Sequence, residues 1–226
     1  MKTLITTCIA VVGLNCSALA QVVMVNFSST NSTSPSAPGA EWNNITNFTT
    51  ATSDVALIDY TTGLDTGFSL SITDSFKDIG GQSFAAYGNF TSQSLSSYFY
   101  GDSADPNAAI EITGLDPNTK YTFDLVAARD TTTNRTTEYT LTGDSVTIVT
   151  NAAGTPFSTA NIATASAISP DATGKITIDI KVASDSSSSF FYLNAMQITA
   201  IPEPSTYALA VGALGLGMVM LLKRRK

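Results

Sequence analysis

Two aromatic triplets, Tyr98-Phe99-Tyr100 and Phe190-Phe191-Tyr192, and a single tryptophan, Trp42, are the side chains of this sequence best suited to recognition. An exposed Trp or Tyr ring presents an electron-rich face to the C–H groups of a pyranose, so such rings stack well on sugars. On that reading Trp42, Tyr98 and Tyr100 form a ligand platform, and Trp42, alone in a polar stretch, is its leading member. A second reading makes each triplet a strand that sends alternate rings into a core and the rest to an outer face.

The acids offer two further chemistries. Asp102 and Asp105, in the run Asp102-Ser103-Ala104-Asp105-Pro106-Asn107, and Asp54 with Asp59 are candidate oxygen ligands for a structural Ca²⁺. Neither group follows the 12-residue EF-hand pattern, and Asp and Asn also build ordinary turns. A glycosidase would need two carboxyl groups facing one cleft, and no catalytic motif marks such a pair. Other chemistries are closed. The 226 residues include no His, which removes imidazole bases, Ser-His-Asp triads and His-ligated zinc. Eleven Lys+Arg stand against 18 Asp+Glu, a net charge of −7 that opposes nucleic-acid binding.

The elements that must position these residues are strands. Val22–Phe27 and Val55–Tyr60 are apolar runs, while 68–73, 109–113 and 121–126 alternate with period two. Further strands are predicted over 98–100, 137–142, 145–149, 176–182 and 190–198, and the Ser/Thr/Pro-rich stretch 30–39 reads as a loop. About ten short strands with no amphipathic helix predict an all-β chain, a β-sandwich over residues 21–200.

The two ends read as addresses. Lys2, the apolar run Leu4–Leu14 and Ala18-Leu19-Ala20 form a secretory signal peptide over residues 1–20, cleaved by signal peptidase between Ala20 and Gln21. Both cysteines, Cys8 and Cys16, lie within it, so the mature chain has no thiol chemistry. Residues 201–226 contain Pro202-Glu203-Pro204-Ser205, an apolar stretch from Tyr207 to Leu222, and Lys223-Arg224-Arg225-Lys226. The apolar stretch makes about 24 Å of helix, a short transmembrane span, and the cations hold its end inside.

This carboxyl end resembles the PEP-CTERM sorting signal of Gram-negative bacteria. The resemblance implies transient anchoring in the inner membrane, recognition of Pro202, Glu203, Pro204 and Ser205 by an exosortase, and delivery to the cell surface or extracellular matrix. Within the domain, Gly114-Leu115-Asp116-Pro117-Asn118-Thr119-Lys120-Tyr121 resembles the corner of a fibronectin type III module, with Tyr121 as its cap. The same string, with an opening strand at 22–27 and a closing one ending near Ile198, is similar to galactose-binding-like jelly rolls. A single jelly roll is the expected topology and the fibronectin-like sandwich the alternative.

Together these features predict a non-enzymatic exported surface or matrix protein. The alternative is a surface-displayed carbohydrate-binding module whose partner is an exopolysaccharide or another glycan. Without the two terminal segments, residues 21–204 hold 6 Lys+Arg against all 18 acids, a net charge of −12.

Overall fold

The computed structural model describes residues 20–29, 41–82, 84–154 and 158–201. Ala18, the stretch 30–39 expected as a loop, the Pro202–Ser205 motif, the apolar stretch 207–222 and the basic end 223–226 lie outside the described residues. Among the described residues no helix is long and apolar enough to cross a membrane.

Alternating apolar residues create two inner faces. One sheet has the order β11 (Ile162–Ile168), β8 (Lys120–Val126), β14 (Ala195–Ile201), β1 (Val22–Phe27), β2 (Trp42–Ile45). The other runs β10 (Val146–Ala153), β9 (Arg135–Thr142), β12 (Ile176–Val182), β7 (Asn107–Thr113), β4 (Asp65–Asp74), β3 (Val55–Ile58). Tyr121, Phe123 and Leu125 of β8 meet Ile176, Ile178 and Ile180 of β12 and Phe68, Leu70 and Ile72 of β4 in one shared core. Each fully buried side chain of this size contributes about 1.5–3 kcal/mol. The architecture is therefore an all-β sandwich, as the periodicity predicts.

A third, small sheet, β13 (Phe191–Leu193), β6 (Ser97–Gly101) and β5 (Asp78–Gly81), covers one side of the sandwich. Its existence depends on Asn194. The segment expected as one strand, 190–198, is divided there, with β13 paired to β6 and β14 paired to β1 and β8. The fully buried Asn194 side chain accepts from the Ala128 amide at 2.7 Å and donates to the carbonyls of Ser97 (2.9 Å) and Leu95 (3.3 Å). One amide thus satisfies the backbone of two neighbouring segments at the point where the chain changes sheets.

Tyr121 forms the corner its motif suggests, its hydroxyl accepting from the Asp116 amide at 3.0 Å. Two main sheets of five and six strands exceed a seven-strand fibronectin type III module, however, and the opening β1 lies antiparallel beside the closing β14. The apolar run of β1 also has a structural cause. Val23, Val25 and Phe27 face the main core, while Met24 faces a second cluster with Trp42, Phe90 and Leu95, so both faces are covered.

Strands β2, β5 and β11 escape the sequence patterns. Trp42-Asn43-Asn44-Ile45 is held by parallel pairing to β1, and the Asn43 side chain bridges the Met24 carbonyl and the Ile58 backbone. Asp78-Ile79-Gly80-Gly81 and the alanine-rich β11 carry little strand propensity and exist through their partners.

Candidate functional site

The small sheet separates the rings of both triplets by face. Phe99, Phe191 and Leu193 enter the main core, whereas Tyr98, Tyr100 and Tyr192 lie on the opposite face. Tyr192 stands directly opposite Tyr100 across the β13–β6 pair, and Tyr98 opposite Gly80 across β6–β5. The alternation expected of a strand therefore holds in both triplets, the middle rings Phe99 and Phe191 entering the core and the tyrosines facing the other way.

This face lines a cleft of about 280 Å³, bounded by Ile79, Gly80, Tyr98, Tyr100, Phe190 and Tyr192 together with Arg129 and Arg135. Tyr98 and Tyr192 are buried and form its floor; Tyr100, Phe190 and both arginines are half-buried. The Tyr98 and Tyr192 rings meet edge-on with centroids 5.0 Å apart, and Tyr98 meets Tyr100 edge-on at 6.1 Å. Phe190 lies nearly parallel to Tyr192, 11° apart with centroids 6.4 Å apart. Such ring pairs are each worth about 0.5–1.5 kcal/mol beyond their burial.

The arginines are seated on these rings. Arg129 lies 5.3 Å from the Tyr98 centroid and donates to the Tyr98 hydroxyl. Arg135 lies 4.9 Å from the Phe190 centroid and 5.8 Å from that of Tyr192, and donates to the Tyr192 hydroxyl. The loop between them is tied down at both ends. Gln82 donates to the Ala128 carbonyl (2.5 Å) and accepts from the Asp130 amide (2.8 Å), while Asn134 donates to the Asp185 carbonyl (2.9 Å). Beneath the floor, the Tyr139 hydroxyl donates to the Tyr192 carbonyl at 2.9 Å. Burial pushes the Tyr98 and Tyr192 hydroxyls up from their ordinary range, against the downward pull of the arginines. Both phenols therefore stay protonated at neutral pH and can donate while accepting from an arginine.

Of the predicted platform, Tyr98 and Tyr100 belong to the cleft and Trp42 does not. Trp42 is 6% exposed, packed with Met24, Phe90 and Leu95 and edge-on to Tyr60 and Phe90 at 6.3 and 6.4 Å. Its polar sequence neighbours suggest exposure, but pairing of β2 with β1 places Trp42 opposite Met24 and buries it. Sequence reading missed Arg129 and Arg135. Their signal was present: they are the only arginines between Gln21 and Leu222.

Among the proposed calcium ligands, Asp102 and Asp59 are engaged by the protein itself. Asp102 pairs with Lys77 and accepts from the Ala104 amide at 2.9 Å, closing a turn in which its own amide donates to the Asp105 carbonyl. The Lys77 ammonium holds the Asp102 carboxyl below its ordinary range. Asp54 and Asp59 sit at opposite ends of β3, so about 16 Å of extended chain separates their Cα atoms. Asp59 accepts from the amides of Val22, Thr61 and Thr62 and from the Thr62 hydroxyl. Burial raises its carboxyl, but these donors outweigh that effect and hold it below its ordinary range. Among the described residues no three Asp, Glu, His or Cys side chains are grouped to hold a metal ion. Nor does either described cleft seat a glycosidase pair: the aromatic one is lined by no carboxylate, and a second, beside Asn107 and Lys181, has Asp102 alone.

No family model matches the sequence, and no curated protein matches it significantly. Among solved structures, the chain is similar to the CBM35 from Cellvibrio japonicus Abf62, at 14% identity and a TM-score of 0.33 over 58% of this chain and 91% of that one. It is also similar to TmCBM61, solved in complex with beta-1,4-galactotriose, at 11% identity and a TM-score of 0.31 over 58% of this chain and 88% of that one.

Proposed function

We propose that this chain is a non-catalytic, exported surface protein whose β-sandwich, a jelly roll over residues 21–200, binds a glycan in the cleft lined by Tyr98, Tyr100, Phe190 and Tyr192. The observation that carries the reading is the convergence of four aromatic rings and the domain's two arginines on one concave face. Half-buried Tyr100 and Phe190 offer ring surface to sugar C–H groups, and the arginine and phenol groups offer donors to sugar oxygens. A cleft near the lower end of the ~300–1,000 Å³ range of ligand sites suits a single unit of a chain rather than an extended groove.

Screening the purified protein on a glycan array and measuring the hits by affinity electrophoresis tests this reading. Replacing both Tyr100 and Phe190 by Ala is expected to weaken binding at least tenfold, since each stacked ring contributes on the order of 1 kcal/mol. Binding unchanged in that double variant would place the site elsewhere.

The export part rests on residues 1–20 and 201–226. A signal peptide delivers the chain across the inner membrane, and the Pro202–Ser205 motif is cut by an exosortase once the apolar stretch has anchored it. The two prolines support this, because proline and the residue before it disfavour helix and a protease takes its substrate as an extended segment. Mass spectrometry of surface-extracted protein should find chains ending within or near Pro202–Ser205; intact Lys226 throughout the mature material would contradict processing.

A further inference from the structure

We infer that the sugar unit held in this cleft is anionic, carrying a carboxylate or sulfate ester that Arg129 and Arg135 bind directly. The inference rests on the saccharide reading and adds the charge of the ligand.

The first observation is where positive charge sits in an acidic domain. Residues 21–204 carry six cations against 18 acids, and both arginines line the same cleft. The second is that, among the described residues, neither arginine forms an ion pair. Ion pairs among the described residues are Lys77–Asp102, Lys175–Glu111 and Lys181–Glu138; neither arginine takes part, and no carboxylate lines the cleft. With acids three times as numerous as bases, two guanidinium groups that line a carboxylate-free cleft and form no ion pair among the described residues mark a place where an anion is supplied from outside.

The third observation is immobilisation. Each guanidinium is held over an aromatic ring and bonded to a phenol oxygen, which uses one of its five donors and fixes its plane. The remaining fork is preorganised for a planar or tetrahedral oxyanion, which reduces the ordering cost of binding. Arg135 also has a buried Nε–H with no protein acceptor. The aromatic surface beside the arginines distinguishes a pyranose bearing the charge from a bare inorganic anion, because ring C–H groups have a surface to meet only in the first case. The surrounding acids act through water and salt, screened over about 8 Å at 0.15 M, whereas the arginine contacts are direct.

The test is calorimetric titration of the full chain, in 0.15 M salt, with polygalacturonate, its carboxyl-reduced neutral form and a sulfated galactan. Wild type is expected to prefer at least one anionic polymer over the neutral form by tenfold or more, and the choice between the two anions identifies carboxylate or sulfate. Arg129→Gln with Arg135→Gln should erase the preference, while Arg135→Lys, which keeps the charge without the fork, should retain part of it. Should the double Gln variant fail to fold, the wild-type comparison decides alone, because the reduced polymer differs only at the charged carbon. Equal binding to charged and reduced polymers would overturn the anionic inference and leave a neutral-glycan site. Absence of binding to all three would overturn the saccharide reading with it.

Discussion

Asn194→Ala should lower the unfolding free energy by about 3–5 kcal/mol, a large part of the roughly 5–15 kcal/mol typical of a domain. The Asn194 side chain is fully buried and makes three hydrogen bonds, to the Ala128 amide and the Ser97 and Leu95 carbonyls. Truncation leaves these backbone groups facing a small cavity, and each unsatisfied buried group costs about 1–3 kcal/mol, less where relaxation or a water molecule helps. Urea unfolding should show a lower midpoint at unchanged slope, and the melting temperature should fall by about 10 °C. Because Asn194 joins β13 to β14, the variant should also loosen the small sheet, and with it the cleft. A loss below about 1 kcal/mol would mean that the sheet change at residue 194 does not depend on this side chain.

Gly80→Ala is expected to weaken glycan binding more than tenfold through the floor of the cleft. A Cβ at this position would fall inside the van der Waals shell of Cε2, Cζ and the hydroxyl oxygen of Tyr98, its direct cross-strand partner. Tyr98 is held edge-on by Tyr192 at 5.0 Å and by Tyr100 at 6.1 Å, so relieving the clash displaces rings that line the cleft. Arg129, bonded to the same ring, must move with it. Overpacking of this kind costs about 1–3 kcal/mol, so the variant should still fold. Binding, measured by affinity electrophoresis, should fall more than tenfold. Gly154→Ala, whose added Cβ meets nothing within 4 Å, serves as the control and should bind as wild type does. If Gly80→Ala binds within twofold of wild type, Tyr98 does not form the floor of the site.

These two residues mark where sequence reading succeeds and where it stops. Strands such as β4, β8 and β12 are legible because one face of each is buried against a large core, so their apolar residues recur with period two. The Tyr121 corner is legible because its donor lies five residues away. Strand β2 is not, since Trp42 and Asn43 are placed by partners in β1 and β3 that no local pattern announces. The same limit applies to the site. Tyr98 and Tyr100 stand out as an aromatic pair on one strand, but Arg129 reaches Tyr98 from 31 residues away and Arg135 reaches Tyr192 from 57. Composition held the missing clue, because two arginines isolated in an acidic, lysine-poor domain call for an explanation that strand periodicity cannot supply.

The central claim is that the Tyr/Arg face of the small sheet is the ligand site, and an NMR titration of the isotope-labelled chain tests it most directly. Oligomers of the best-binding polysaccharide would be added in 0.15 M salt while backbone amides and arginine Nε–H signals are followed. The account predicts the largest shifts at Gly80, Tyr98, Tyr100, Phe190 and Tyr192 and at the Nε–H groups of Arg129 and Arg135, saturating together with one affinity. Shifts concentrated around Asp102, Asn107 and Lys181, with the aromatic cleft undisturbed, would contradict it.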